Sequence, residues 1–298
     1  RDKLLNGEVH QINDLITLNL DIWQFARDAI VNSEGPELLR AFWHAIAGRI
    51  PEKSNEKLEL GMTVLDPTCG SGAFLFAALR ILETLYSDCL ERMERFVEDL
   101  AVGMHHAEKY KDFKTILADI QKHPNERYFI LKSIIIHNLY GVDIMEEAVE
   151  ICKLRLFLKL VAQVESVDQI EPLPDIDFNI RAGNTLVGYT SLEQVRESQK
   201  GTLGFGKKEI ELIEDEVEAV EAIFRMFQRM QTRLGGRVTT EDKEELRSRL
   251  AKLSEKLNRY MAGEYGIDAD DDEKGYFAWK KSHRPFHWLA QFYGIMRN

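Results

Sequence analysis

Two periodicities alternate along this chain: short runs of β-branched and apolar residues, and much longer stretches whose apolar positions recur every three or four residues. From about Gln11 to Arg49 the spacing of Leu15, Leu18, Ile22, Phe25 and Ile30, then Leu39, Phe42, Trp43 and Ile46, is helical. Ser33-Glu34-Gly35-Pro36 interrupts it, so two helices and a turn are expected. Pro51 to Gly61 is polar and reads as a linker. Thr63-Val64-Leu65 is a short strand pattern, followed by Asp66-Pro67, then Gly70-Ser71-Gly72, then an apolar run from Ala73 to Leu82 without Gly or Pro. That order of signals predicts strand, tight turn, helix.

Tyr86 to Ser133 is charged and amphipathic, broken near His123-Pro124-Asn125, and reads as a helical insertion at the periphery of the core. The last part of Ile134 to Ile144 reads as a second buried strand, Glu146 to Val164 as the helix after it, and Phe178 to Ala182 as a third strand. Lys208 to Leu234 and Thr240 to Met261 are long helical patterns separated by Gly235-Gly236, a helical hairpin serving as a packing or spacing device. In the tail, Tyr276 to Tyr293, aromatic residues stand among basic ones. Stacking on bases is one use of such rings; burial against the sheet is the expected one. The chain thus divides into a helical segment, 1–62, an α/β core, 63–190, with the insertion at 86–133, and a hairpin with aromatic tail, 191–298.

Composition narrows the class. Hydrophobic residues make up 44% and charged residues 30% of 298, the balance of an ordinary soluble domain, and no run is apolar enough to span a bilayer. A cytoplasmic location and no membrane partner are the expectation. Cys69, Cys89 and Cys152 form no C-x-x-C pair, and His105-His106 and His283/His287 lack companion ligands, so no metal site is expected. The net charge of −11 argues against these residues alone gripping a nucleic acid duplex, whose phosphates call for Lys and Arg.

Three turns carry the candidate chemistry. A chain that leaves a strand and turns at once into a helix needs unusual dihedrals, and a ligand lying on that turn needs bare backbone; Gly70 and Gly72 supply both. The following helix aims its unpaired N–H groups at the loop, so an anionic end of a small ligand fits there. No third glycine follows, so the dinucleotide fingerprint is incomplete. Asp143, at the carboxyl end of the second strand, is placed to accept hydrogen bonds from ribose hydroxyls. Asn184, in the turn after the third strand, can donate to and accept from an adenine edge. A purely structural turn, a capping aspartate and a plain asparagine turn remain the alternatives at these three places.

The run Asp66-Pro67-Thr68-Cys69-Gly70-Ser71-Gly72-Ala73-Phe74 resembles the first motif of the amino-group DNA methyltransferases, especially the large adenine-specific enzymes of restriction-modification and phage-defence systems. Gly141-Val142-Asp143-Ile144 resembles their second motif and Gly183-Asn184-Thr185-Leu186 the third motif of the restriction-associated subgroup. The resemblance implies a Rossmann-like core with an incomplete sheet and large helical insertions, and S-adenosylmethionine as cofactor. It places Asp66, Pro67, Thr68, Gly70 and Gly72 around the methionine end, with Phe74 beside it. Asp143 would hold the ribose, Ile144 would lie against the adenine ring, and Asn184 would contact the adenine.

The same family transfers the methyl group with Asn or Asp followed by Pro-Pro and an aromatic, acting on a base flipped from the duplex. No Pro-Pro pair occurs in these residues. The segment like Pro285-Phe286-His287-Trp288 comes shortly before that motif in the subgroup, so the catalytic residues are expected beyond Asn298. The implied partners are double-stranded DNA, bound through other parts of the enzyme, and restriction or defence subunits. Methylation of RNA or of a protein amide, and a non-catalytic binding module, remain as alternatives.

Overall fold

The computed structural model describes residues 6, 10, 21–48, 61–102, 107–199, 207–232 and 239–296. The first part of the expected N-terminal helix, most of the linker, His105-His106 and Gly235-Gly236 lie outside the described residues. The chain separates into two compact units, 1–62 with 77–134, and 63–76 with 135–298.

The first unit is helical. Helices α1 (Ile22–Val31) and α2 (Pro36–Ala47) flank the expected break, with Asp21 accepting from the Gln24 N–H as N-cap and Pro36 opening α2. Helix α3 (Ala73–Val102) begins at the glycine loop and runs for 30 residues. The insertion expected from Tyr86 therefore has no boundary there: no Gly or Pro stands between Ala73 and Val102, and nothing in the chemistry stops the helix. Helices α4 (Lys111–Gln121) and α5 (Glu126–His137) are separated at the predicted His123-Pro124-Asn125. Within this unit the Arg27 guanidinium donates to both oxygens of Asp88 (2.7 and 3.3 Å), and Arg40 does the same to Asp112 (2.6 and 3.1 Å).

The second unit is organised on a three-stranded parallel sheet in the order β1 (Val64–Asp66), β2 (Leu139–Asp143), β3 (Ile180–Ala182). Val64 faces Leu139 and Asp66 faces Gly141; Gly141 faces Ile180 and Asp143 faces Ala182. The third strand is shorter than expected because Phe178 and Asn179 turn into it. Asn179 is buried there for a reason: its amide donates to the carbonyls of Ile136 (2.9 Å) and Leu139 (3.0 Å), stitching β3 to the start of β2. Among the described residues β1 pairs on one side only, with β2.

Helix α6 (Glu146–Val161) follows β2, with Glu146 and Glu147 in its first turn, and packs Val149, Cys152, Leu156 and Leu160 inward against β2 and β3. After the short α7 (Leu192–Ser198) come α8 (Lys207–Thr232) and α9 (Thr240–Glu264), an antiparallel pair. Ile210, Ile213 and Val217 meet Leu253, Leu257 and Met261 in one cluster; Val220 and Phe227 meet Leu246, Leu250 and Phe178 in another. Thr239 caps α9 reciprocally with Asp242. Helix α10 (Glu273–His283) leads into the tail, whose Phe286, Trp288 and Phe292 bury against Tyr140 and Val142 of β2. The aromatics of 286–292 thus anchor the chain to the sheet, whereas Phe277 is exposed.

Candidate functional site

The carboxyl ends of the three strands carry all the motif residues. Past Asp66 the ladder continues for one bond, from the Cys69 N–H to the Val142 carbonyl (2.8 Å), and then the chain turns. Asp66 Oδ1 accepts from the Thr68 N–H (3.1 Å), tightening the start of the turn around Pro67. Gly70 at φ +51° and Gly72 at φ +87° occupy the left-handed region that β-carbons disfavour. Space adds a second constraint at Gly72, where an added Cβ would stand 2.6 Å from Cys152 Sγ. At Gly70 nothing lies within 4 Å of an added Cβ, so the backbone there faces open space. The Phe76 N–H to Gly72 carbonyl bond (2.9 Å) starts α3.

Asp143 joins the loop to the second turn. Its Oδ2 accepts from the Gly70 N–H (2.8 Å) and its Oδ1 from the Met145 N–H (2.9 Å), across 73 residues of sequence in the first case. Each carboxylate oxygen keeps capacity for a further donor. The third turn is tied to the same residue: the Gly183 N–H donates to the Asp143 carbonyl (2.9 Å). Asn184 Oδ1 accepts from the Leu186 N–H (3.1 Å), which shapes this turn and leaves the amide group's donors. Gly70, Asp143 and Asn184 therefore stand along one rim. Phe74, Ile144 and Leu186 are exposed there, at 78%, 48% and 93%. Asp66 Oδ2 is buried with no hydrogen-bond partner.

Several positioning residues gave no signal in the sequence pattern. Arg155 of α6 donates to the Ser71 carbonyl (2.5 Å) and Ser71 Oγ (3.0 Å) while stacking on Phe76, so it holds the loop from outside. The tail runs beside the third turn through the Asn184 N–H to Arg284 carbonyl bond (2.7 Å) and the Phe286 N–H to Val187 carbonyl bond (2.7 Å). His287 Nδ1 accepts from the Tyr189 N–H (3.1 Å), so Nε2 carries the proton and donates to Asn258 Oδ1 (2.9 Å). Burial keeps this imidazole neutral, lowering its pKa to about 3. The missing β-carbons of Gly183 and Gly188 are the one clue to that packing: a Cβ at Gly183 would meet the Phe286 ring at 2.7 Å.

The Cys69 thiol is buried and held in its protonated form. A hydrogen bond shared with Cys152, then burial, then the nearby Asp66 and Asp143 push its pKa up. Behind the rim, burial works against the ionised form of Asp177, but hydrogen bonds from Lys243 and Lys153 outweigh it and hold the carboxyl well below its usual range. Arg247 (2.5 Å) completes that network. A cleft of about 320 Å³ borders it, lined by Lys153, Asp177, Arg181, Phe286 and Gln291. It does not include the glycine loop, and its lining mixes the charges of Lys153, Arg181 and Asp177. Among the described residues no group of His, Cys, Asp or Glu could hold a metal, and no described helix is long and apolar enough to cross a membrane.

Comparison with known proteins matches the same residues. The family model described as the MmeI DNA-methyltransferase domain covers residues 52–188, and that of the Eco57I restriction-modification methylase covers residues 137–291. A protein of Methanocaldococcus jannaschii, provisionally named a type II restriction enzyme and methyltransferase, is 32% identical over 186 residues. That match takes in 60% of this chain and 12% of the relative, so the chain spans a small part of the relative's length. No solved structure matches. With the Eco57I model covering just over half of its length, the chain belongs to the family of restriction-modification methylases.

Proposed function

We propose that this chain is the S-adenosylmethionine-binding part of a DNA methyltransferase that modifies the exocyclic N6 amine of adenine, on a Rossmann-like core. The observation that carries the reading is the meeting of three sequence-distant turns at Asp143, whose carboxylate takes the Gly70 N–H and whose carbonyl takes the Gly183 N–H. The residues fit the cofactor. The backbone at Gly70 is uncovered, Asp66 Oδ2 is a buried acceptor with no donor, and Phe74, Ile144 and Leu186 offer exposed apolar surface beside it.

In this reading Asp66, Pro67, Thr68, Gly70, Gly72 and Phe74 surround the amino-acid end of the cofactor, and the start of α3 favours its carboxylate. Asp143 accepts from the ribose hydroxyls, Ile144 covers one face of the adenine, and Asn184 reads its edge. When bound, S-adenosylmethionine supplies an electrophilic methyl group on a sulfonium. The chain's own residues bind and orient; with no Pro-Pro pair in the sequence, we assign none of them to the transfer. The target is duplex DNA, with restriction or defence subunits as further partners. The family membership and the M. jannaschii relative support DNA as the substrate class.

Isothermal titration of the chain with S-adenosylmethionine and with NAD tests the cofactor. Binding of the first alone is expected, and preference for NAD overturns the reading. Incubating the full gene product with duplex DNA and labelled cofactor, then digesting to nucleosides, tests the base. N6-methyladenine is expected; N4-methylcytosine, or label on RNA or protein only, overturns it.

A further inference from the structure

Arg284 holds an unusual position. It ends α10 at φ 46°, ψ 54°, and is the one non-glycine residue with positive φ among the described residues. Its N–H closes the helix on the Lys280 carbonyl (2.9 Å). Glycine serves such a left-handed cap without the β-carbon penalty, and asparagine tolerates it through local hydrogen bonds of its short side chain. An arginine there makes sense if its side chain does something a cap does not need.

Its contacts show what that is. The Arg284 carbonyl accepts from the Asn184 N–H (2.7 Å), and its guanidinium Nη1 donates to the Ile144 carbonyl (2.8 Å), 140 residues away. The Glu146 carboxylate lies 3.9 Å from the same guanidinium. One residue therefore grips the turn after β2 with its side chain and the turn after β3 with its backbone. These are the two turns assigned above to the cofactor's nucleoside. Between them, the Ile144 peptide is fixed on one side by the Asp143 carboxylate bonded to the Met145 N–H and on the other by Arg284.

We propose that Arg284 is a positioning residue that locks the Asp143-Ile144 and Gly183-Asn184 turns in the spacing the nucleoside requires. The inference rests on the cofactor reading, and the test separates the two. Chains carrying R284G, R284N and R284K are compared with the parent by titration with S-adenosylmethionine and by thermal unfolding without ligand. Glycine and asparagine satisfy the left-handed backbone, so the unliganded midpoint should stay level or rise. Affinity should fall about tenfold through loss of one charge-assisted hydrogen bond. R284K keeps a donor for Ile144 and should stay within about threefold of the parent.

Parental affinity in R284G and R284N overturns the proposal by reducing Arg284 to a cap, and their failure to fold overturns it by making the residue a requirement of the fold itself. Equal loss in R284K overturns it as well. Hydrogen–deuterium exchange without ligand gives a readout independent of the cofactor: the Met145 and Leu186 amides should exchange at least threefold faster in R284G, and unchanged exchange refutes the lock. If the parent chain binds no S-adenosylmethionine, the cofactor reading fails and the exchange result alone decides the role of Arg284.

Discussion

Replacing Gly72 with alanine tests the packing of the glycine loop most directly. The residue sits at φ +87°, and the left-handed region costs an alanine about 1–2 kcal/mol. Its new Cβ would also stand 2.6 Å from Cys152 Sγ, about 1 Å inside the ~3.5–4.0 Å at which nonbonded heavy atoms rest. Cys152 is fully buried, so its sulfur has little room to give, and such overpacking costs about 1–3 kcal/mol. G72A should therefore lose about 2–5 kcal/mol of stability. The double variant G72A/C152A removes the obstructing sulfur and leaves the backbone strain. It should be more stable than the sum of the single changes by about 1–3 kcal/mol, the coupling that a shared steric contact produces. Urea unfolding of the four proteins, followed by far-ultraviolet circular dichroism, gives all the terms. Additivity within about 0.5 kcal/mol would refute the steric account. G72A with parental stability would refute the conformation of the loop itself.

Other sites give shorter tests. D143N leaves one acceptor oxygen and an NH2 group, so either the Gly70 or the Met145 N–H must face a donor. S-adenosylmethionine affinity should drop at least about tenfold and stability by about 1–3 kcal/mol; calorimetry showing parental affinity would count against Asp143 as a cofactor ligand. His287 titrates near 3 when folded and has an ordinary value of 6.5. Between those values the unfolded chain binds a proton that the folded chain does not, so stability falls as pH is lowered through 6.5 towards 3. From pH 8 to pH 5 this amounts to about 2 kcal/mol, and denaturant midpoints of H287Q should show a pH dependence shallower by that amount. Matching slopes in the two proteins would mean that His287 charges freely in the folded state.

The parts of the site that were legible beforehand are those encoded within one turn. Asp66-Pro67 and the two glycines announce a strand breaking into a helix, because only a few residue types tolerate those dihedrals. An acid after a buried apolar run, and Gly183-Asn184 after another, mark strand ends by the same local logic. A rise in charge at Tyr86 changes what a helix packs against, and not whether it continues, so α3 runs through the point from which the insertion was expected. The second strand occupies the last part of its apolar run, as expected, with Ile134–Ile136 completing α5. The third came out shorter than its run because Phe178 is buried among Phe227, Leu246 and Leu250 and does not pair in the ladder.

What the residues determined by themselves was a menu of local structures: which stretches coil, which extend, and where bare backbone is needed. Only folding decided which of those stretches became neighbours. The bond from Gly70 to Asp143, the grip of Arg284 on Ile144 and the neutral His287 between Tyr189 and Asn258 each join segments dozens of residues apart. Dihedral preference acts between adjacent residues and so is written along the chain. Hydrogen bonds and burial act through space, and they exist only once the parallel sheet has brought the ends of its strands to one edge.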